Sequence, residues 1–414
     1  MDRTGDTPVI ARGAARSYGD ASFGPGLTLD MRRLDHVTAF DAASGVMTCE
    51  AGVLLSDVIR LWTPRGWFPP VTPGTKFVTI GGMIASDVHG KNHHLAGSFG
   101  DHVISFRLAL GDGSVATCSR TENVDLFEAT CGGMGLTGVI LEATFRMIPV
   151  RSARIMQETQ RAPNLAAAMD LFEAGSERTY SVAWIDCLAT GAELGRSAVI
   201  FGDHASPDDF DSDARSAPFS RRTPNKRRIP LDFPGFALNR ASVSAFNKLY
   251  YKRQAPGRRL VDLEPYFYPL DAIQDWNRIY GQRGFVQYQC VLPLATSRDG
   301  LAALLTEIAR AGDPSFLAVL KRLGRESFGL LSFPLEGYTL ALDFPATDRT
   351  FGLLDRLDDI TLEAGGRLYL TKDARMRRAM LEASYPRLDR FRAVREQYGF
   401  TTRFRSALSD RLGL

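Results

Sequence analysis

Three glycine-rich elements near the amino terminus constrain the fold of this 414-residue chain more than any other feature. They are residues 12–20, the run 72–100 with Pro73-Gly74-Thr75 and Gly81-Gly82, and residues 132–138. Glycine lets backbone N–H groups approach a pyrophosphate without an intervening Cβ, and successive amides form an anion-binding nest. A tight turn would explain any one element alone. Three together favour a bound dinucleotide.

The pattern around these elements differs from the Rossmann fingerprint, because no GxGxxG follows a strand and opens a helix. Short β-rich runs fill residues 8–150, and Asp112-Gly113 predicts a hairpin turn. Alternating apolar residues in this part predict strands at 28–31, 46–49, 103–110, 114–118 and 139–148, with helices at 54–62 and 121–128. Beyond residue 150, helices predicted at 165–174, 301–311 and 354–364 alternate with strands at 180–186, 285–292 and 338–344. This second pattern indicates a separate α+β domain.

Length and charge limit the class of protein. A chain of 414 residues has room for two hydrophobic cores, and 50 basic against 47 acidic residues argue against a strongly anionic partner. The five scattered cysteines form no CxxC pair and favour a reducing compartment. No apolar leader or run of about 20 apolar residues is present. We therefore expect a cytoplasmic protein, peripheral at the inner membrane face at most, with the periplasmic face a weaker alternative.

Several motifs resemble the FAD-binding oxidoreductases of the vanillyl-alcohol oxidase type. They are Arg16-Ser17-Tyr18-Gly19-Asp20, Pro73-Gly74-Thr75, residues 86–94, 96–100, 135–138, 268–271, 287–289 and 366–369, and Lys372-Asp373. The resemblance implies a two-domain α+β flavoprotein. Its PCMH-type FAD-binding domain, made of two α+β subdomains, would span 1–152 and be completed by 368–414. A substrate-binding domain with an antiparallel sheet would span 153–367 and carry a mobile loop at about 203–230.

The same resemblance assigns residues to the cofactor. The implied FAD contacts are Ala11, Arg12, Gly13, Ala14, Ala15, Arg16, Ser17, Tyr18, Gly19, Asp20, Ala21, Gly74, Thr79, Ile80, Gly81, Gly82, Ser86, Asp87, Val88, His89, Ile140 and Tyr369. Many relatives bind flavin covalently through a histidine just before the serine of the first motif. This chain has Arg16 there, so we expect non-covalent FAD.

The activity implied by the resemblance is oxidation of the C2 hydroxyl of a polyprenyl-phospho-β-D-ribose to the 2-keto sugar. That step is the first half of an epimerisation that supplies arabinose for a cell-wall arabinan, and it implies a separate NAD-dependent keto-reductase. One alternative is an oxidase or dehydrogenase of a free alditol or aldonolactone. Another is a non-catalytic protein that binds nucleic acid through the basic residues of 221–228, which lack an aromatic platform.

Oxidation of an alcohol by a flavin requires a group that accepts the hydroxyl proton. Lys372 and Lys321 are the candidates, since each follows an apolar run, although an arbitrary lysine is usually solvated. In the family these lysines and Gln289 contact the sugar and its phosphate, and His89 lies beside the flavin ring. The histidines at 89, 93 and 94 lack a further ligand at metal-binding spacing, so no metal is expected.

Some positions depart from the family pattern. Ala341 stands where relatives carry a cysteine near the flavin, and Phe267 and Thr339 replace a tyrosine and an asparagine. The first motif lies close to Met1, whereas the family has a further βα segment ahead of it, so either the start is misassigned or the flavin domain is trimmed. The basic, aromatic stretch 233–259 suits either a membrane surface that admits a polyprenyl tail or a solvated helix.

Overall fold

The computed structural model describes residues 7–210, 215–220, 227–234, 238–313, 315 and 317–414. The strands are β1 (Val9–Arg12), β2 (Leu27–Asp30), β3 (Val37–Asp41), β4 (Val46–Glu50), β5 (Trp67–Phe68), β6 (Val103–Ala109), β7 (Val115–Ser119), β8 (Val139–Arg146), β9 (Ile148–Pro149), β10 (Arg154–Ala162), β11 (Tyr180–Ile185), β12 (Ser197–His204), β13 (Arg227–Arg228), β14 (Gly257–Asp262), β15 (Ile273–Gln274), β16 (Phe285–Pro293), β17 (Ala318–Leu323), β18 (Gly337–Pro345) and β19 (Arg367–Leu368). The helices are α1 (Leu55–Trp62), α2 (Ile80–Ala85), α3 (His93–Ala96), α4 (Val124–Thr130), α5 (Leu165–Ala174), α6 (Arg240–Arg253), α7 (Leu263–Phe267), α8 (Ser297–Ala311), α9 (Asp348–Glu363), α10 (Arg378–Ser384), α11 (Leu388–Gln397), α12 (Phe400–Arg403) and α13 (Ala407–Leu412).

The amino-terminal part is built on a five-stranded sheet in the order β3-β4-β8-β6-β7. The predicted hairpin at Asp112-Gly113 is confirmed, since β6 and β7 pair antiparallel and Gly113 has a φ of 90°. The strand predicted over 139–148 is divided, because β8 ends at Arg146 and β9 instead pairs with β5. The predicted helix at 121–128 begins later, at Val124. A parallel pair, β1 and β2, lies outside this sheet.

The second part is built on an eight-stranded sheet in the order β14-β10-β12-β11-β17-β18-β16-β19. Helices predicted at 165–174, 301–311 and 354–364 are present as α5, α8 and α9, and α9 begins earlier because Thr347 caps it by accepting from Thr350 N. Strands β10, β12, β14, β17 and β19 of this sheet were not predicted. A polar residue in a strand usually indicates a solvent-facing side, but Gln157 of β10 lines an internal cavity instead.

The carboxy-terminal helices return to the first part of the chain. Phe404 forms a bridge with Val9, and Arg395 donates through Nε to the carbonyl of Leu136 at 3.1 Å. Arg411 joins Asp20 at 2.8 Å and Asp373 at 2.7 Å. These contacts agree with a first domain completed by residues 368–414, a division that remains a proposal.

The predicted loop at about 203–230 contains some regular structure. Strand β12 continues to His204, a 3₁₀ turn spans Pro207–Asp209, and β13 pairs with β15. Residues 211–214 and 221–226, which carry most of its basic cluster, lie outside the described residues. Within the described ranges, every helix is too short or too polar to span a bilayer.

Candidate active site

A cavity of about 1050 Å³ lies where the two sheets and the carboxy-terminal segment meet. Its wall includes the glycine elements, the faces of β16, β17 and β18, and the segment that holds Tyr369 and Lys372. A pocket for one drug-sized ligand is about 300–1,000 Å³. The cavity is therefore large enough for a dinucleotide and part of a second ligand.

Most of the residues assigned to the cofactor line this cavity. They are Ala11, Gly13, Ala14, Ala15, Arg16, Ser17, Tyr18, Ala21, Gly74, Thr79, Gly81, Gly82, Ser86, Val88, His89, Ile140 and Tyr369. The glycine elements converge because they pack on one another. A Cβ on Gly13 would lie 2.2 Å from Thr79 Oγ1, and Met134 N donates to the carbonyl of Ala85 at 2.9 Å.

The structure places five of the assigned residues away from the cavity wall, namely Arg12, Gly19, Asp20, Ile80 and Asp87. Arg12 ends β1, and Ile80 is fully buried at the start of α2. Gly19 packs so tightly that a Cβ would lie 1.8 Å from the carbonyl oxygen of Asp373, while Asp20 pairs with Arg411. Asp87 is buried and accepts from Ser332 Oγ at 2.7 Å and from Gly100 N at 3.0 Å. These residues support the wall from behind.

His89 and Gln289 meet across the two halves of the molecule. Gln289 Nε2 donates to His89 Nε2 at 3.0 Å and to Thr339 Oγ1 at 3.2 Å. Burial lowers the pKa of His89 well below its usual value, and the charge of Lys321 lowers it further. The ring is therefore neutral, with Nε2 as acceptor and the proton on Nδ1. Among the described residues Nδ1 has no partner, so it can donate to a bound ligand.

Three half-buried lysines, Lys91, Lys321 and Lys372, line the cavity, whose wall also carries Arg16, Arg228, Arg259, Asp271 and Asp275. Burial lowers the pKa of Lys91 to about 7, and the charge of Lys321 adds to this effect. Burial lowers the pKa of Lys321 and of Lys372 to about 8. The ion pairs formed by the described residues include none of the three. Close cations without paired carboxylates destabilise a fold unless an anion joins them.

Asp343 is the carboxylate whose charge acts on Lys372. Burial raises the pKa of Asp343 to about 7, while Gln287, which donates to Oδ1 at 2.5 Å, and Lys372 oppose the rise. Within the described part of the chain Oδ2 has no hydrogen-bond partner. The Lys372 ammonium also lies 3.8 Å from the ring centroid of Tyr18. Asp343 therefore raises the pKa of Lys372 against the effect of burial.

Two of these residues were not predicted as site residues. Lys91 lies within the motif 86–94, and its Nζ donates to the carbonyl of Tyr266 and lies 4.3 Å from that ring. Asp343 interrupts the apolar strand β18. A fully buried aspartate is rare unless it has a specific partner. Such a residue in an otherwise apolar strand was the signal that could have identified it.

The histidines after Lys91 have other partners. His93 Nδ1 accepts from Gly324 N at 3.0 Å, and its Nε2 lies 3.2 Å from Ser98 Oγ. His94 Nε2 bonds the carbonyl of Arg178 at 2.9 Å. Both histidines connect the loop to the second sheet, and neither lines the cavity.

The positions that depart from the family pattern lie in or beside the cavity. Ala341 and Phe267 line it, and Thr339 accepts from Gln289. Farther from the glycine elements, the wall continues over Val319, Trp184, Ile200 and Gln157. This outer part is mainly apolar.

The residues present fit FAD. Gly74 faces the cavity, and a Cβ there would meet nothing within 4 Å, so the wall leaves space for a ligand at that point. His89, whose ring lines the cavity, has a buried donor at Nδ1 without a partner among the described residues.

Comparison with known proteins agrees with this geometry. Residues 3–119 match the family of FAD binding domains. The chain is 37% identical over 415 residues to the decaprenylphosphoryl-beta-D-ribose oxidase of Mycolicibacterium smegmatis, covering 99% of this chain and 90% of the relative. It is 37% identical over 373 residues to an uncharacterized protein of Streptomyces coelicolor, covering 87% of this chain and 100% of the relative. A mouse L-gulonolactone oxidase is 31% identical over 151 residues, 36% of this chain and 34% of the relative.

The match to the mycobacterial oxidase extends over both sheets and the carboxy-terminal helices. Shared sequence over the FAD-binding part alone would indicate only the cofactor. The chain therefore uses FAD and belongs to the family of FAD-dependent oxidoreductases that includes decaprenylphosphoryl-beta-D-ribose oxidase.

Proposed function

We propose that the protein oxidises the C2 hydroxyl of a polyprenyl-phospho-β-D-ribose to the 2-keto sugar. The observation that carries this proposal is the set of three lysines, Lys91, Lys321 and Lys372, in one cavity with the FAD-binding elements. A neutral sugar gains little from these cations, whereas the single negative charge of a phosphodiester forms charge-assisted hydrogen bonds with those that bind it. Similarity to an oxidase of decaprenylphosphoryl-beta-D-ribose over 99% of the chain supports the same substrate class.

Each residue has a role that follows from its surroundings. FAD, when bound, supplies the acceptor for the hydride that leaves C2. Lys372 accepts the hydroxyl proton, because a base is most effective when its pKa lies near the working pH and that of Lys372 is about 8. Lys321 and Lys91 bind the phosphate in their charged forms. Gln289 bonds the sugar, and His89, held by Gln289, orients the ring system.

The rate is expected to depend on pH in both directions. Lys372 must be neutral to act as a base, so the rate rises as the pH approaches about 8. Lys91 and Lys321 must be charged to bind phosphate, so affinity falls as the pH rises through about 7 and again through about 8. The ratio kcat/KM therefore passes through a maximum between about pH 7 and pH 8.

Two partners complete the proposal. The 2-keto product needs a second enzyme that returns hydride to the opposite face of C2, a reaction suited to an NAD-dependent keto-reductase. The lipid-linked substrate requires access to a membrane surface. Helix α6 exposes Phe246 and Leu249 beside Lys248, Lys252 and Arg253, a combination that suits peripheral contact with anionic lipid.

A free alditol or aldonolactone is the second candidate substrate. It is favoured by the partial similarity to an L-gulonolactone oxidase, which covers 36% of the chain. That similarity leaves about two thirds of the chain unmatched. The lysine cluster argues against an uncharged substrate.

Turnover with a dye as electron acceptor separates the two candidates. FAD-loaded protein is incubated with polyprenyl-phosphoribose, a free alditol or an aldonolactone. We expect dye reduction with the first, and arabinose in the hydrolysate after chemical reduction of the product with borohydride marks a ketone at C2. Turnover of the free polyol or lactone without oxidation of the phosphoribose would select the second candidate.

A further inference from the structure

We infer that the outer part of the cavity, across the eight-stranded sheet, binds the first isoprene units of the substrate. This inference rests on the proposed function, because it extends the path of the substrate away from the lysines. It assigns a lipid-binding role to side chains of the second domain that have no part in the chemistry. They are Val319 on β17, Val182 and Trp184 on β11, and Ile200 on β12, with Tyr250 of α6 opposite them.

The strand register makes this wall continuous. Val319 lies opposite Ala341 on one side and Trp184 on the other. On the next strands Val182 lies opposite Ile200. Cross-strand neighbours project from the same face of a sheet, and these side chains line the same cavity as Lys321. An apolar path therefore begins beside the lysine that is proposed to hold the phosphate.

The dimensions suit an isoprenoid chain. Four strand spacings separate β17 from the edge strand β14, which gives about 19 Å at about 4.8 Å each. An isoprene unit has four chain bonds against three in an amino-acid residue, so it extends about 4.5 Å. The full width of the sheet from β17 to β14 therefore corresponds to roughly four units, and Ile200, two spacings from β17, is reached by about the second or third.

Helix α6 closes the path from the other side. Tyr250 packs on Trp184 with ring centroids 4.7 Å apart, and Asn247 Nδ2 donates to Asp186 Oδ1 at 2.7 Å, which fixes the helix on the domain. Phe246 stacks on Tyr250 at 5.8 Å and is 46% exposed. The three rings lead from the cavity wall to the surface, where a longer tail can leave the protein.

The polar end of the wall gives the path a boundary. Arg259 of β14 lies opposite Gln157 of β10, and both line the cavity. The exposed guanidinium of Arg259 keeps its water, and an apolar chain that passed it would have to displace that water. The tail is therefore expected to turn toward Tyr250 and Phe246 before it reaches the sheet edge.

The inference is tested with two substrates that differ only in tail length, a phosphoribose with one isoprene unit and one with four. The shorter tail ends before Ile200 and the longer one passes it. In FAD-loaded enzyme, Ile200→Arg places a charge in the path and should raise KM for the long substrate about tenfold or more, as lost burial of several carbons predicts. KM for the short substrate and the FAD content should not change.

Val115→Arg is the matched control, because it adds the same charge at an exposed position of β7 away from the cavity wall and should leave both KM values unchanged. If Ile200→Arg does not fold and bind FAD, Tyr250→Ala provides a second test from the half-buried face of α6, with the same selective effect expected. Equal changes for both substrates, or none for either, in the folded variant would overturn the inference. Failure of the wild-type protein to oxidise either phosphoribose would instead refute the proposed function.

Discussion

Replacement of Lys321 by methionine is expected to stabilise the fold and to weaken substrate binding. The pKa of Lys321 is lowered from 10.5 to about 8, chiefly by burial. A tenfold change in proton affinity corresponds to about 1.4 kcal/mol, so the buried charge costs the fold up to about 3 kcal/mol at pH 7. Methionine has a similar length and removes that cost.

The direction of the pKa shift determines how the effect of Lys321→Met on stability depends on pH. The folded pKa lies below the unfolded one, so the cost is fully present below about pH 8 and disappears as the pH rises to 10.5. The advantage of Lys321→Met in urea unfolding, measured with equal excess FAD, should therefore be largest near pH 7 and shrink above pH 8. Substrate binding should become weaker in Lys321→Met, because the variant loses a charge-assisted hydrogen bond that is worth about 1.5–3 kcal/mol. Its loss should weaken phosphoribose binding roughly 10- to 150-fold.

An exposed basic residue supplies the control. Arg33 lies outside the cavity wall, and Arg33→Met should change neither the free energy of unfolding nor substrate KM. A Lys321→Met protein that is less stable at pH 7 and retains its affinity for phosphoribose would refute the reasoning. Lys321 would then be a structural residue.

Three further outcomes are expected. Asp343→Asn removes the carboxylate that raises the pKa of Lys372, so the rising limb of the pH profile of flavin reduction should move to lower pH. An unchanged limb would exclude electrostatic coupling between Asp343 and Lys372. The added methyl group of Gly74→Ala meets nothing within 4 Å, so the stability of the FAD-free protein should not change. The same methyl group should weaken FAD binding about tenfold through overpacking. Unaltered FAD affinity in a fluorescence titration would place the cofactor elsewhere. Because Arg16 stands where relatives have a histidine, acid precipitation should release the flavin into the supernatant, and a yellow pellet would indicate a covalent bond.

Local patterns were sufficient to predict much of the fold. Helix α5 and strands β11, β16 and β18 were predicted within a residue or two, because each has one strongly apolar face or core. The hairpin at Asp112-Gly113 followed from turn chemistry alone. Strand β17 was missed although its apolar run was noted, since short apolar runs do not distinguish strand from helix.

The site residues show where sequence reasoning ends. Glycine spacing predicted the wall at Gly13 and Gly74, yet Asp20 and Asp87 share the same motifs and bond to distant partners instead. Those partners, Arg411 and Ser332, lie hundreds of residues away, so only the folded chain brings them together. The charge cluster of Lys91, Lys321 and Lys372 likewise depends on three segments that meet only in the tertiary structure.

Anaerobic mixing with polyprenyl-phosphoribose tests the central claim most directly. The FAD-loaded protein is combined with the substrate in the absence of any electron acceptor, and visible flavin absorbance is followed with time. The account predicts that the absorbance bleaches, that bleaching saturates with substrate concentration, and that the same ribose without its phosphate is much less effective. Flavin that keeps its colour with the phosphoribose, or bleaches equally with the dephosphorylated sugar, would contradict the account.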